Sequence, residues 1–364
     1  MTELRPLDPD ALKMFSFGIF SKLDGAVTAG MIHLGDRLGL YEVMATSVDG
    51  DTSESLASKA GLHERWVREW LHNQVAARIV TCADLSNPSP IFHLSPEGVA
   101  VLATPDHPAY GMGMFHRLPQ TMGALSAMPE AFRTGVGHDY DSHGPEGAVG
   151  IERSFEPWNQ NFLIPLVIPA LDGISEKLTS GIRVADIGCG SGGAALLLGS
   201  TYPRSVIDGF DISKFALERA EERRSESDAN NVSFFDPREI PIASDNRYDL
   251  ICTFDCIHDM THPTEMMITI RKALKDDGTW LLVDIKAQET LELNVNKNPM
   301  ASLLYGISVL SCMSSAMSET GGEGLGTLGL SASRAESMAR DAGFTQFKKL
   351  EVEHSVNAFY EVRP

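Results

Sequence analysis

The chain has 364 residues, 43% hydrophobic and 22% charged, an ordinary globular composition long enough for two domains that each bury a core. Its 30 basic and 49 acidic residues leave a net charge of −19, a field that repels phosphate backbones and disfavours nucleic acid as a partner. No basic-plus-apolar leader stands at the N-terminus and no apolar run reaches the roughly 20 residues of a membrane helix, so a cytoplasmic protein without a membrane span is expected. The five cysteines (Cys82, Cys189, Cys252, Cys256, Cys312) are odd in number and irregularly spaced, which predicts reduced thiols rather than disulfides. Cys252 and Cys256 lie four apart, but in an apolar run that reads as a strand and its exit, and no metal is predicted.

The first stretch to about residue 105 alternates helical patterns with one short hairpin. Leu34, Leu38 and Tyr41 fall at helical spacing; Thr52 can cap a helix through Ala60 that stops at Gly61. A second helix follows at once, with Trp66, Trp70, Leu71 and Val75 on one face. Ile79 to Ala83 and Ile91 to Leu94 read as strands around a turn rich in Asn, Ser and Pro, and Ser95-Pro96 caps a last helix. Helix, turn, helix, hairpin is a winged helix-turn-helix pattern, in which Leu62 to Arg78 would be the recognition helix. Residues 1–105 carry 8 basic against 13 acidic side chains, so a structural or dimerising role is favoured over DNA binding.

Residues 106–180 form a connector rich in Gly, His and Met that settles into an amphipathic helix around Trp158 to Leu171. From Arg183 onward, short β-rich runs separated by helices predict a parallel α/β sheet. Arg183 to Ile187 is a short apolar strand ending in Asp186, followed by Gly188-Cys189-Gly190-Ser191-Gly192-Gly193 and a helix-forming Ala/Leu run. Glycines there let the backbone turn tightly and approach a ligand at a helix N-terminus. Gly188, Gly190 and Gly193 also satisfy the dinucleotide fingerprint, so the loop alone does not choose between nucleotide cofactors. Strands Val206 to Phe210, Val232 to Phe235, Tyr248 to Phe254 and Trp280 to Ile285 follow, ending at Asp211, at Asp236-Pro237, and at Asp255 with His258.

The runs "VADIGCGSGG", "GFDIS", "FFDP", "YDLICTFDCIHDM" and "LKDDGTWLLVD" resemble class I S-adenosylmethionine-dependent methyltransferases at five successive strand ends. Together with the winged-helix half, the chain looks like the natural-product O-methyltransferases of plants and bacteria, whose N-terminal winged helix mediates dimerisation. It is also similar to bacterial methyltransferases of less defined substrate that carry the same head, "GEGLGT" and a closing "AGF". The resemblance implies an α/β fold: a Rossmann-like doubly wound methyltransferase sheet over residues 181–364, a helical pocket cover over 106–180, and an N-terminal mostly helical winged-helix domain over 1–105. It implies S-adenosyl-L-methionine as cofactor, with Asp186, Gly188 and Gly190 bordering its methionine part. Asp211 would hold the ribose, Ile212 would pack on the adenine, Asp236 with Pro237 would receive the adenine amine, and Asp255 would border the cofactor.

In the plant-type enzymes a His-Asp pair beyond the fourth strand supplies a general base, and Ile257-His258-Asp259-Met260 stands there. An acceptor hydroxyl must lose its proton as it attacks the sulfonium methyl, which an imidazole can accept. Asp284 and Glu323 are the acids that the resemblance places beside His258; the alternative is a histidine that only borders the cofactor. The Asp-Asn pair of a magnesium-dependent catechol methyltransferase is absent after the fifth strand. Trp158, Asn159 and the methionines of the connector (Met112, Met114, Met122, Met128) and late insertion (Met300, Met313, Met317) are either pocket walls or helix core. The resulting expectation is a homodimer that methylates an oxygen, or else a nitrogen or carbon, of a small aromatic or apolar acceptor. The competing readings are a cofactor-sensing DNA-binding regulator and a nicotinamide dehydrogenase, the latter opposed by Asp186 and Asp236.

Overall fold

A computed structural model describes residues 7–364. The chain packs as two units, Met1–Leu118 and Pro119–Pro364. In the first, α1 (Pro9–Arg37) is capped by the Asp8 carboxylate and α2 (Leu40–Ala45) follows Gly39 at φ 67. That left-handed residue stops α1, so Tyr41 is buried on the next helix while Leu34 and Leu38 stay 42% and 45% exposed, against the single amphipathic stretch expected of them. α3 (Ser53–Ala60) has the anticipated ends: Thr52 Oγ1 accepts from the Ser55 amide at 3.2 Å, a cap worth about 1 kcal/mol, and Gly61 closes it at φ 67.

In α4 (Glu64–Ala76) the buried face is Val67, Trp70, Leu71 and Gln74. Trp66, expected on that face, is 78% exposed, because one position of helical rotation carries it outside the stripe. Gln74 is buried instead, where its Oε1 accepts from the Tyr41 hydroxyl at 2.6 Å. The wing strands shrink to β1 (Thr81–Cys82) and β2 (Phe92–His93). Between them, Asp84 and Asn87 side chains take the Ser86 and Ser89 amides, which are then lost to any ladder. α5 (Pro96–Leu102) is capped by Ser95 as expected.

The second unit is built on a seven-stranded sheet. Its strands are β3 (Arg183–Ile187), β4 (Val206–Phe210), β5 (Val232–Phe235), β6 (Tyr248–Phe254), β7 (Leu274–Ile285), β8 (Gln346–Lys349) and β9 (Asn357–Arg363), in the order β5-β4-β3-β6-β7-β9-β8. The first five run parallel; β9 pairs antiparallel with β7, and β8 with β9. Alternation along the strands feeds two cores, one holding Val184, Ile207, Leu250 and Phe359, the other Ala185, Ile251, Trp280 and Tyr360. The chain leaves β3 for β4 and β5 on one side and returns on the other as β6. That reversal opens a crevice at the carboxyl ends of β3, β4 and β6.

The helix expected over Trp158 to Leu171 starts earlier, at Gly144. It runs regularly to Trp158, then loosens into a π-helix over Asn159–Val167 before a last turn at Ile168–Ala170. Pro157, Pro165 and Pro169 remove amide donors along this stretch, which favours the wider repeat. Gly144, Gly147 and Gly150 weaken the helical signal at its start by about 1 kcal/mol each relative to Ala. Gly147 and Gly150 are nevertheless buried.

Candidate active site

Asp186 sits one residue before the end of β3, and its sheet position fixes it in the crevice floor with no exposure. Neither carboxylate oxygen makes a hydrogen bond of normal geometry, although the Ala195 amide lies near enough to oppose the effect of burial. Burial, reinforced by Asp211, pushes its pKa up to about 7. A carboxylate so placed is a poor structural element and a good receiver for a cation.

The loop after β3 is held open around this group. Gly188 and Gly190 adopt φ 72 and 54, and the Gly188 and Cys189 amides both donate to the Phe210 carbonyl at 2.8 and 3.0 Å. A Cβ at Gly188 would lie 2.7 Å from Cys256 Sγ, whereas one at Gly190 would enter empty space. Asp211, one residue past β4, braces the loop: it accepts from the Gly190 amide and from the Ser213 amide, each at 2.8 Å. Burial raises its pKa in spite of these bonds. A cavity of about 60 Å³ runs between Asp186, the glycine loop and the helix at Gly144–Trp158, lined also by Ile151, Phe155, Asn159, Arg223 and Phe254. A larger hollow of about 530 Å³ lies instead at the β8–β9 edge, where Glu361 is already paired with Arg363 and Lys348.

Ile212 follows Asp211 and is 48% exposed. Asp236, at the end of β5, is clasped by Arg238 at 2.6 Å, which holds its pKa low, and Arg238 also donates to the Ile212 carbonyl at 2.6 Å. Pro237 stands half-buried between them. Asp255 lies beyond β6 at φ 49 and accepts from the Asn357 side chain; burial and then Asp284 push its pKa up to about 7. These strand-end acids therefore line one edge of the sheet, each held by a different neighbour.

His258 is 2% exposed in the single turn Ile257–Asp259. Its Nδ1 lies 2.6 Å from Asp284 Oδ1 near the end of β7, and Oδ1 also accepts from the Ile285 amide. Burial pulls the imidazole pKa down, but Asp284 and the Cys312 side chain outweigh it and the net direction is well upward. Glu323, expected as a second acid here, points elsewhere. Its carboxylate accepts from the Thr264 amide and hydroxyl at 3.1 and 2.7 Å, capping the helix Pro263–Ala273. The loop that carries Glu323 does approach His258, but through backbone: Gly326 N donates to the His258 carbonyl.

Trp158 is buried, stacked on Phe359 and edge-on to Phe254, with its ring N–H unpartnered. Asn159 lies against the start of the helix Gly193–Thr201, where a Cβ at Gly193 would come within 2.6 Å of its Nδ2. Met112 and Met128 are core residues, while Met114, Met122, Met300 and Met313 are 37–44% exposed and Met317 is half-buried. Sequence reasoning missed Arg238, Ser213 with its partner Asp141, and Cys312. Arg238, two residues after Asp236, and Ser213, two residues after Asp211, stood close enough in sequence to be found; Asp141 and Cys312 did not.

A seven-stranded sheet with this order, a glycine loop at its switch point and acids at successive strand ends define the methyltransferase class of α/β domain. Residues 178–353 match the methyltransferase-domain family and residues 26–104 the Rv2258c-like winged HTH domain, so the chain carries a methyltransferase domain preceded by a winged helix-turn-helix domain. Among curated relatives it is 24% identical over 139 residues to a malonyl-[acyl-carrier protein] O-methyltransferase of Paenibacillus sp. (strain JDR-2), across 35% of this chain and 50% of that one. The match thus spans half the length of that relative. Among solved structures, human N-acetylserotonin methyltransferase in complex with SAM superposes at a TM-score of 0.68 with 14% identity, covering 99% of both chains. Mitomycin 7-O-methyltransferase superposes at 0.67 with 18% identity, covering 98% of this chain and 99% of that one. At such identities the likeness is one of fold.

Proposed function

We propose that the chain transfers the methyl group of S-adenosyl-L-methionine to an oxygen of a small aromatic or apolar acceptor, acting as a cytoplasmic homodimer. The observation that carries this reading is Asp186, a buried carboxylate without a full hydrogen bond, set beside an open glycine loop. It fits the ammonium of the cofactor's methionine part. Asp211 keeps lone pairs on both oxygens for the ribose hydroxyls, Ile212 offers an exposed apolar side chain for the adenine, and Asp236 with Pro237 would take the adenine amine. When bound, the cofactor supplies an electrophilic sulfonium methyl.

The protein's own contribution is alignment and proton management. Enclosing acceptor and cofactor in a dry crevice removes the entropy cost of their encounter. His258 would take the acceptor's proton on Nε2 while Asp284 holds Nδ1 and balances the positive charge that forms. Glu323 has no part in this step, since its carboxylate is committed to Thr264.

For the winged-helix unit a structural role is the better account. The two arginines of α4 are engaged within the helix, Arg65 with Glu69 at 2.6 Å and Arg68 with Glu64 at 3.1 Å. Along α1, meanwhile, Leu12, Phe15, Phe17, Ile19, Phe20, Leu23 and Val27 are all more than 45% exposed. An isolated helix with so much apolar surface is costly in water, and no helix among the described residues is long and apolar enough to cross a membrane. A second copy of this chain would cover it.

Calorimetric titration with S-adenosylmethionine and its demethylated product, with NAD as control, tests the cofactor reading. Micromolar binding of the first two and none of NAD is expected; no binding of either would refute it. A radiometric screen of phenolic acceptors then tests turnover.

A further inference from the structure

The helix Ala301–Leu310 breaks at Ser311, whose φ of −141 and ψ of −82 redirect the chain into the short helix Cys312–Ala316. The break sets Cys312 over the turn Ile257–Asp259. Ligand-type atoms of His258, Asp259 and Cys312 lie within 4.8 Å of one another. With Nδ1 of His258 held by Asp284, the Cys312 thiol faces an imidazole that is already oriented by a buried acid.

We propose that Cys312, His258 and Asp284 act together as nucleophile, base and orienting acid, and that Cys312 is a covalent modification site for soft carbon electrophiles. The arrangement brings together the parts of an activated thiol: a sulfur within 4.8 Å of a ring nitrogen, on a base whose Nδ1 is fixed by a third group. In the absence of an acceptor, whose hydroxyl would otherwise use the same nitrogen, the thiol proton passes to Nε2 of His258 and Asp284 balances the imidazolium. Sγ then forms a bond to the electrophilic carbon as the leaving group departs with its electron pair. Once the proton has passed to the ring, Asp284 beside Nδ1 favours keeping it there. The other thiols are differently placed. Cys189, Cys252 and Cys256 are buried and pushed well above the usual thiol range by that burial, and Cys82 is half-buried in the wing strand β1.

Thiol alkylation does not require methyl transfer, and its test needs no acceptor. Iodoacetamide supplies the electrophile: an S–C bond forms, the C–I bond breaks and iodide leaves. Labelling of the native protein is followed by peptide mass spectrometry, with Cys82 as the internal reference. Cys312 is expected to label at least about ten-fold faster than Cys82, because an oriented base stands beside its sulfur to take the proton as the S–C bond forms. Cys312→Ser should abolish the fast label. His258→Gln and Asp284→Asn should each bring the Cys312 rate down towards that of Cys82 while the Cys82 rate stays constant; the Cys82 rate also reports whether a variant has lost its fold. Should the His258 variant unfold, Asp284→Asn alone carries the comparison. Equal labelling of Cys312 and Cys82 in the wild type overturns the proposal, as does a Cys312 rate that neither variant alters. Labelling that appears only after a chelator is added also overturns it, and assigns His258, Asp259 and Cys312 to a metal instead.

Discussion

Replacing Asp186 by Asn separates the cost of this residue to folding from its use in binding. In the unfolded chain the carboxyl has its ordinary pKa of 3.8; in the folded protein it is pushed up to about 7. Between those values the native state holds a proton that the unfolded state has released. Stability is therefore greatest below the unfolded value and falls as pH rises through about 7, by an amount near 4 kcal/mol for a shift of roughly three units. The Asp186→Asn substitution removes the charge but leaves a buried amide unpaired, a cost of about 1–3 kcal/mol. At pH 8 the cofactor-free variant should thus be more stable than the wild type by roughly 1–3 kcal/mol, which corresponds to several degrees of melting temperature for a unit of this size. Approaching pH 4 that advantage should vanish or reverse. Thermal melts at pH 8 and pH 4.5, with and without S-adenosylmethionine, measure both effects. The wild type should gain stability from the cofactor and the variant should gain little. A variant less stable than the wild type by the same margin at both pH values would refute the reasoning, since the carboxylate would then have a partner in the folded protein.

His258→Ala should leave cofactor affinity intact and lower turnover by about a hundred-fold or more, measured by radiometric methyl transfer to an acceptor found in the screen; unchanged turnover would make His258 a cofactor-side residue only. Because the working form of the base is neutral and its pKa is raised, wild-type turnover should rise with pH through a range above that of an ordinary imidazole. Asp284→Asn should move that rise to lower pH. Asp211→Ala removes the acceptor of the Gly190 and Ser213 amides as well as the ribose partner, so calorimetry should show cofactor affinity at least about ten-fold weaker. Undiminished affinity would mean that the end of β4 does not face the cofactor. Phe15→Asp combined with Phe20→Asp should convert a dimer into a monomer by light scattering, and an unchanged mass would move the dimer contact away from α1.

Local sequence determined the elements whose signals are short-range. Thr52, Gly61 and Ser95 mark helix ends because capping is settled within four residues. The strands β3 to β6 end where β-rich runs meet acids and glycines, and their order along the chain is enough to imply a doubly wound sheet with its crevice at the switch point. Asp186, Asp211, Asp236 and Asp255 could be placed at that crevice for the same reason. What surrounds each of them could not. That Asp186 lacks a full partner, that Arg238 clasps Asp236, and that Asn357 reaches Asp255 from a strand more than a hundred residues away are facts of packing. Trp66 left the face expected of it and Gln74 took a place there because one residue of helical rotation decides which side chain meets the core. Glu323 and Cys312 show the same limit at the site itself. One carboxylate was drawn to an unpaired amide at the start of a helix, while a thiol with no motif around it was carried over His258 by a break at Ser311. Sequence spacing specifies which groups a strand end presents; only the folded chain decides which of them are already satisfied by a neighbour, and so which remain to meet a ligand.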